Sequence, residues 1–254
     1  MVNNKKVAIV IPNHRATLKW NEQISLARCK EVFNGYDVIL VHPQGISLEE
    51  YEGYEIITKY VGLNPKYFKN EAKYNRLMNI PYFYKHFLEY DYILIYQLDT
   101  FVFENNLDEW CNKGFDYIGA PWINSIWIQK LNNKLPGIKR MIKKVGNGGL
   151  SLRKVKKFYY GSIYLYPLAL FWKGKWHEDF FWSSVANRLI PGFRIPDVKT
   201  ALQFAFEETP EECYKLNGNQ LPFGCHAWEK FNPDFWAPHF KHYGYTIPES
   251  LKTQ

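Results

Sequence analysis

The segment from Tyr92 to Phe103 constrains the fold most strongly. Apolar and aromatic residues run from Tyr92 to Tyr96, a lone carboxylate follows at Asp99, and apolar residues resume at Phe101. A short apolar run of this kind predicts a buried strand. A carboxylate at the end of such a strand lies at the rim of a sheet, where open α/β folds bind their ligands. Asp99 therefore either holds a ligand, for which a divalent cation is the candidate, or caps a turn or a helix.

Alternating strand and helix patterns in the first 103 residues predict a Rossmann-type half with a mainly parallel sheet. Strands are predicted at residues 7–11, 37–41, 55–60 and 92–96, and helices at residues 18–33 and 70–88. Pro81 lies inside the second helix and is expected to kink or split it. No G-x-G-x-x-G follows the first strand and no P-loop is present, which argues against a dinucleotide dehydrogenase.

The pattern is looser after Asp99. We predict helices at 107–111, 178–187 and 198–207, and strands at 117–122 and 147–153, the second followed by a basic helix. Residues 122–144 are interpreted as a basic loop with some helix, and the last forty residues as loops packed on the core. No repeat or linker interrupts the 254 residues, so we expect a single α/β domain.

The positive charge of the chain is concentrated in one block. Residues 117–177 contain no Asp or Glu and twelve of the 32 Lys and Arg residues, whereas the rest of the chain has 25 acidic residues against 20 basic ones. Such a block is either a solvated loop or a surface for a polyanion. No standard nucleic-acid-binding motif accompanies it, so lipid headgroups or a phosphorylated acceptor rank above nucleic acid.

Cysteine usage and the N-terminus indicate the compartment. Four cysteines occur without a C-x-x-C pair or a metal-ligand spacing, which indicates buried free thiols in a reducing cytoplasm. The first residues lack the apolar core of a signal peptide, and no window reaches the roughly 18 apolar residues that span a bilayer. We expect a cytoplasmic protein, with peripheral association on the inner face of the membrane as a further expectation.

Three more motifs could carry chemistry. Glu178 and Asp179 are adjacent carboxylates that point about 100° apart on a helix, so one could act as a general base while the other caps the helix; both could equally be a capping pair. His226 lies among aromatic residues and is either a ligand or a packed, hydrogen-bonded residue. The glycines from Gly146 to Gly149 allow either a close backbone approach to a ligand or a hairpin turn.

Five segments in this order resemble a bacterial glycosyltransferase family that was formerly described as a domain of unknown function. They are YILIYQLDT at 92–100, DYIGAPW at 116–122, GNGGLSLR at 146–153, EDFF at 178–181 and PFGCHAW at 222–228. The resemblance extends from about residue 7 to residue 228. That family is similar to glycosyltransferases of the GT-A fold, so a GT-A-like mixed sheet flanked by helices is implied.

The resemblance implies roles for the acidic motifs. GT-A enzymes bind a metal ion and the nucleotide-sugar diphosphate through a D-x-D motif, but here Gln97 replaces the first Asp before Asp99. It implies that Asp99 and His226 hold Mn²⁺ or Mg²⁺, and that Gln97 hydrogen-bonds a ribose or a metal-bound water. It also implies that Asp179 is the general base, with Glu178 as an acceptor contact or a helix cap.

The resemblance implies substrate-binding positions as well. Residues 1–103 would form the nucleotide-sugar-binding half, and residues 104–254 the acceptor-binding half with a basic insertion at 123–145. The implied substrate-binding residues are Pro12, His14, Arg15, Tyr74 and Arg76 around the nucleotide, Asn147, Gly148 and Gly149 in the glycine motif, and Trp122, Trp182 and Trp228 as surfaces for stacking sugars.

The implied activity is transfer of a sugar, with inversion, from a nucleotide diphosphate sugar to a hydroxyl of a glycan or lipid-linked acceptor in surface polysaccharide synthesis. Two alternatives remain. One is a non-catalytic basic module that binds polyanions or lipid. The other is a glycoside hydrolase, which needs two carboxylates about 5 to 10 Å apart across a cleft and would have to use Asp99 as one of them.

Overall fold

The fold was analysed in a computed structural model, which describes residues 5–134, 145–172 and 177–248. Much of the predicted basic insertion lies outside these ranges. So do six of the twelve cations in the basic block, namely Lys139, Arg140, Lys143, Lys144, Lys173 and Lys175.

The described residues form two sheets. The strands are β1 (Val7–Pro12), β2 (Asp37–Pro43), β3 (Lys59–Leu63), β4 (Tyr92–Tyr96), β5 (Thr100–Val102), β6 (Tyr117–Gly119), β7 (Leu150–Lys154), β8 (Ala205–Phe206) and β9 (Gly224–His226). The larger sheet has the order β3-β2-β1-β4-β7-β6, and the smaller one has the order β5-β9-β8. In the larger sheet β1 to β4 pair in parallel, whereas β7 is antiparallel to both β4 and β6. The predicted mixed α/β sheet is confirmed.

Helices cover both faces of the larger sheet. They are α1 (Trp20–Val32), α2 (Glu49–Glu52), α3 (Glu71–Leu77), α4 (Pro81–Tyr84), α5 (Leu107–Asn112), α6 (Ile126–Lys134), α7 (Val155–Tyr164), α8 (Tyr166–Trp172), α9 (Glu178–Phe180), α10 (Asn187–Leu189), α11 (Val198–Phe204), α12 (Pro210–Leu216) and α13 (Pro233–His242). Short 3₁₀ turns occupy Pro65–Phe68 and Lys85–Phe87, and a π-helical segment, Phe181–Ala186, joins α9 to α10.

Most element boundaries follow the sequence pattern, and two differences have a local cause. The third strand begins at Lys59 rather than residue 55, because Glu55 adopts a left-handed conformation (φ 53°) in the turn after α2. The helix predicted at 198–207 ends at Phe204, because Ala205 pairs with Gly224. The helix predicted at 70–88 is split at Pro81, as expected, and Pro81 opens α4.

The prediction of loops in the last forty residues is wrong. These residues contain β9 and the ten-residue helix α13, which buries Trp236 and Phe240. Pro233 at the start of α13 and the Asn232 side chain, which accepts a hydrogen bond from the backbone N–H of Phe235, provide a normal helix start.

Strand alternation divides the core into two layers. Ile9 and Ile11 of β1 face the side covered by α1, whereas Ala8 and Val10 face the side covered by α4 and α7. A third apolar cluster packs α13 against the smaller sheet. Cys29, Cys111, Cys213 and Cys225 are free and buried in these layers, which confirms the prediction of buried thiols.

No helix in the described ranges is both long enough and apolar enough to cross a membrane.

Candidate active site

The pairing of β5 with β9 brings the separated motifs together. Asp99 lies in the turn between β4 and β5, and the antiparallel register aligns Thr100 with His226. His226 Nε2 consequently lies 3.0 Å from Asp99 Oδ1 and 3.1 Å from Gln97 Oε1. The Gln97 side-chain amide donates its own hydrogen bond to the Tyr74 hydroxyl at 3.3 Å, which fixes its oxygen towards the imidazole.

A second carboxylate holds the other side of the His226 ring. Glu207, which follows β8, places Oε1 3.1 Å from His226 Nδ1. Burial by itself would lower the pKa of His226, but the carboxylates of Asp99 and Glu207 outweigh burial and raise that pKa well above 6.5. Burial opposes ionisation of Asp99 too, yet the adjacent imidazolium lowers its pKa below the usual 3.8.

This donor set fits a divalent cation that is bound together with a substrate. Asp99 Oδ1 is buried against His226 Nε2 at 3.0 Å, so a cation bound here would take the place of the proton between these two atoms. Within the described ranges, no group of three or more His, Cys, Asp and Glu side chains is arranged to hold a metal. Glu207 contacts the opposite ring nitrogen and cannot share an ion with Nε2. Asp99, His226 and the Gln97 oxygen are thus a partial set, of the kind that phosphate oxygens complete for Mg²⁺ or Mn²⁺.

The glycine motif lets the backbone lie directly against the site residues. A Cβ on Gly149 would overlap the His226 imidazole, and a Cβ on Gly148 would overlap a carboxylate oxygen of Glu178. The Gly149 carbonyl accepts a hydrogen bond from the Gln97 backbone N–H at 3.0 Å. The close approach expected of these glycines is therefore made to protein side chains, and the strand that follows, β7, pairs with β4 and β6 rather than with a hairpin partner across the motif.

The two adjacent carboxylates have different surroundings. Glu178 makes a bidentate ion pair with Arg153, whose guanidinium nitrogens lie 2.6 and 3.0 Å from its two carboxylate oxygens, and the Arg153 side chain is fully buried. Glu178 lines a cavity beside Asp179 while both of its oxygens accept hydrogen bonds from Arg153, and its role as an acceptor contact or a helix cap stays a prediction.

Asp179 makes a different set of contacts. Its Oδ1 accepts a hydrogen bond from the backbone N–H of Phe180, and its side chain is partly exposed to a cavity. Burial, reinforced by the negative charges of Glu178 and Glu207, raises the pKa of Asp179 well above 3.8. A carboxylate with a raised pKa is suited to accept a proton near neutral pH.

Two adjoining cavities meet at Tyr74 and Gln97. The first, of about 510 Å³, is lined by Pro12, Asn13, His14, Arg15, Lys19, Asn21, Glu22, Phe68, Lys69, Asn70, Glu71, Tyr74, Gln97, Leu98, Asp99 and Glu229. The second, of about 360 Å³, is lined by Glu71, Tyr74, Asn75, Gln97, Trp122, Asn147, Gly148, Gly149, His177, Glu178, Asp179, Glu207, Glu208, His226, Lys230 and Phe231. The first therefore joins the end of β1 to Asp99, and the second joins the glycine motif to Asp179.

These cavities collect most of the predicted site residues but not all of them. Trp182 is fully buried, packs on Phe158 and donates its indole N–H to the Met78 carbonyl, so it cannot stack on a sugar. Trp228 is equally buried in the layer beneath α13. Both predictions of sugar-stacking surfaces are wrong, because each ring is used in the core. Arg76 lies on α3 but lines neither cavity.

Several site residues were not singled out from the sequence. Arg153 falls within the basic block of the sequence, although Ser151 and Arg153 alternate with the apolar Leu150 and Leu152, a pattern that is compatible with an inward-facing arginine. Glu207, Glu229 and Lys230 carry no such signal, since only the tertiary fold brings them to the cavities.

A family comparison covers the part of the chain that contains these motifs. Residues 58–226 match the model of a family described as "Protein of unknown function (DUF5672)". The chain belongs to this family. The matched range contains Asp99, Asp179 and His226. No protein in the curated collection matches this DUF5672 protein.

The fold of the DUF5672 protein is similar to that of solved glycosyltransferases. A galactosyltransferase, LgtC, in complex with donor and acceptor sugar analogues, superimposes with a TM-score of 0.57 at 15% identity, over 96% of this chain and 99% of LgtC. Mouse xyloside xylosyltransferase 1 gives a TM-score of 0.51 at 11% identity, over 87% of this chain and 96% of the mouse protein. The bifunctional glycosyltransferase WbbM gives 0.52 at 13% identity, over 89% of this chain and 46% of WbbM. These similarities confirm the predicted GT-A fold, and at such identities they establish the fold alone.

Proposed function

We propose that this DUF5672 protein is a glycosyltransferase that moves a sugar from a nucleotide diphosphate sugar to a hydroxyl group of an acceptor. One observation carries the proposal: Asp99, Gln97 and His226 converge at the junction of two cavities, and Asp179 lines the second cavity. A group-transfer enzyme needs such an arrangement, because the donor and the acceptor must meet at one reacting atom.

The first cavity is the proposed site of the nucleotide diphosphate. His14 and Arg15 follow β1, and Lys19 and Lys69 line the same cavity as Asp99, where their charges would face the phosphates. The loop is fixed locally, since the Asn13 side chain accepts hydrogen bonds from the backbone N–H groups of His14 and Arg15. This position at the carboxyl end of a parallel strand is the usual ligand-binding edge of an open α/β sheet.

Asp99 and His226 would hold Mn²⁺ or Mg²⁺ beside the diphosphate. The bound ion would supply neutralisation of the charge that develops on the leaving group. Gln97 brings an amide oxygen where other GT-A enzymes have a carboxylate, so the protein supplies less charge and affinity for the ion would depend strongly on the donor.

Asp179 would deprotonate the acceptor hydroxyl in the second cavity. The Arg153–Glu178 ion pair fixes the start of α9 and leaves Asp179 as the free carboxylate of the adjacent pair. A base on the acceptor side implies attack opposite the leaving diphosphate, and therefore inversion at the anomeric carbon. Trp122, which lines the same cavity, would contact the sugar ring.

The acceptor would be a glycan or a lipid-linked sugar, and surface polysaccharide synthesis is the process proposed for it. Residues 1–103 would then bind the donor and residues 104–254 the acceptor. The glycine motif belongs to the second part but contacts His226 and Gln97, so both parts build the reaction centre.

A ligand screen followed by kinetics tests the proposal. Nucleotide diphosphate sugars should raise the melting temperature more with Mn²⁺ than without it, because a ligand that binds only the native state stabilises by mass action. Asp99→Asn should remove the Mn²⁺-dependent part of the shift. Asp179→Asn should retain the shift but lower turnover by about 10²- to 10⁴-fold. Asp234→Asn, an exposed position on α13, is the matched control.

Further measurements test the stereochemistry, the alternative function and the role of Asp179. NMR of the first product formed would show whether the anomeric configuration is inverted. A protein that binds no nucleotide sugar, but binds polyanions with an affinity that falls steeply with salt, would instead be the basic binding module. Normal turnover in Asp179→Asn would remove Asp179 from the mechanism.

A further inference from the structure

Exposed apolar side chains are concentrated on α7 and α8. Eleven large apolar side chains of the described residues are more than a third exposed, and six of them fall within residues 160–171. The most exposed are Phe171 at 81%, Tyr164 at 68% and Tyr160 at 64%. A soluble surface rarely gathers so many large apolar groups without a partner for them.

The exposed groups share one side of each helix. On α7, Lys156, Tyr160, Ile163 and Tyr164 are exposed at helical spacing, while Val155, Phe158 and Gly161 face the core. On α8, Tyr166, Leu170 and Phe171 repeat the pattern. Two consecutive helices thus each expose an aromatic and aliphatic side, and we call these two sides together the α7–α8 face.

Positive charge borders this face. Lys154, Lys156, Lys157 and Arg194 line a groove of about 620 Å³ together with Tyr160 and Tyr164, and Asp116 is the single acid among the groove's lining residues. Asp116 lies 3.8 Å from Lys154, so Lys156 and Lys157 retain an excess of positive charge. In the sequence, no Asp or Glu occurs from residue 117 to residue 177, and Lys173 and Lys175 follow the face directly.

We propose that the α7–α8 face docks on an anionic phospholipid surface. Exposed aromatic rings on an amphipathic helix, bordered by lysines, are the features that bind the interface of a bilayer with negatively charged headgroups. A second copy of the chain is a poorer occupant, since a two-fold contact through this face would bring the same lysines of both copies together. The block of twelve cations is therefore not one docking surface, because Arg153 is buried in the site. The lysines of α7 are the ones that we expect to contact the anionic headgroups.

Docking here would keep the reaction centre near the bilayer. Phe171 and Glu178 are seven positions apart in the chain, a separation that spans at most about 25 Å even when fully extended. Asp179 would then remain within reach of an acceptor anchored in the membrane. The proposal on docking does not depend on the transferase activity, because its test uses no sugar.

Vesicle flotation tests the docking. The wild-type protein should float with vesicles of phosphatidylcholine and phosphatidylglycerol at 7:3, and should not float with phosphatidylcholine alone. Tyr164→Ser/Phe171→Ser should lower the partition coefficient at least tenfold. Lys156→Gln/Lys157→Gln should lower it severalfold and weaken its dependence on salt.

Matched controls separate this face from the rest of the surface. Leu88→Ser/Leu216→Ser removes two exposed apolar groups elsewhere, and Lys199→Gln/Lys241→Gln removes two exposed charges elsewhere; both should float like wild type. Circular dichroism and melting curves establish that each variant is folded. Three results would overturn the proposal: no flotation of the wild type, equal flotation of all variants, or a wild-type dimer that Tyr164→Ser/Phe171→Ser converts to a monomer without any vesicle binding.

Discussion

At the scale of single residues, Arg153 organises the site more than any predicted residue. Its guanidinium binds Glu178, the Tyr84 hydroxyl and Ser151 Oγ, and no part of its side chain reaches solvent. An arginine is suited to this place, because its planar group can satisfy a carboxylate with two parallel hydrogen bonds. The start of α9, and with it the position of Asp179, depends on this pair.

Replacing Arg153 should therefore destabilise the protein strongly. Arg153→Met leaves the Glu178 carboxylate buried without a partner, and we expect a loss of about 3 to 5 kcal/mol in the free energy of unfolding by urea. Lys154→Met, at the neighbouring and more exposed position, should cost less than about 1 kcal/mol. The double variant Arg153→Met/Glu178→Gln should be more stable than Arg153→Met alone; if it is not, the destabilisation does not come from the unpaired charge.

Glu229 should make stability dependent on pH. Burial, with a further contribution from the charge of Asp99, raises the pKa of Glu229 from 4.5 to about 7. Between these values the native state holds a proton that the unfolded chain has lost, so the free energy of unfolding falls as pH rises through this window.

Glu229→Gln removes this titration. The variant should be more stable than wild type at pH 8 by about 1 to 3 kcal/mol, and nearly equal to it at pH 4. Urea denaturation at both pH values, without divalent ions, measures the difference. Glu104→Gln, at an exposed loop position, is the control. A constant difference at both pH values would contradict the assignment.

At the scale of elements, the sequence predicts those strands and helices that have a clear local residue pattern. The apolar runs of β1, β2 and β4 and the split of the helix at Pro81 follow from alternation, β-branching and the missing N–H of proline. β8 and β9 are two and three residues long, and the pairing of β9 with β5 and with β8 is set by tertiary contacts. His226 could be suspected as a ligand from its motif, but its partner Glu207 could not.

The turn before β7 offers a test of how backbone shape fixes the site. Gly149→Ala would place a methyl group inside the His226 ring, so the imidazole must move away from Asp99 and Gln97. We expect the Mn²⁺-dependent thermal shift with nucleotide sugar to disappear, and the His226 ring signals to move in an NMR spectrum. Gly53→Ala, where a methyl group meets only ordinary van der Waals contact, should change neither. An unchanged His226 signal in Gly149→Ala would show that the turn relaxes instead.

At the scale of the whole molecule, the two proposed functional parts share one core. Leu94 and Leu152 come from opposite sides of the division at residue 103, yet they belong to the same apolar cluster and lie on paired strands. We therefore expect donor-binding and acceptor-binding parts to unfold together.

Calorimetry can test this cooperativity. The van't Hoff enthalpy of unfolding should equal the calorimetric enthalpy, as for a single cooperative unit. Two resolved transitions, or an enthalpy ratio well below one, would mean that the two parts melt separately. A nucleotide sugar that stabilises only one of those transitions would locate its binding part.

The burial of all four cysteines has a practical consequence. Cys29, Cys111, Cys213 and Cys225 are enclosed in the core, and burial raises the pKa of each thiol, so little reactive thiolate is available in the native protein. A single cysteine engineered at an exposed position would then react with a maleimide dye well ahead of the natural ones. Fluorescent reporters could be attached beside α8 without first removing any native cysteine.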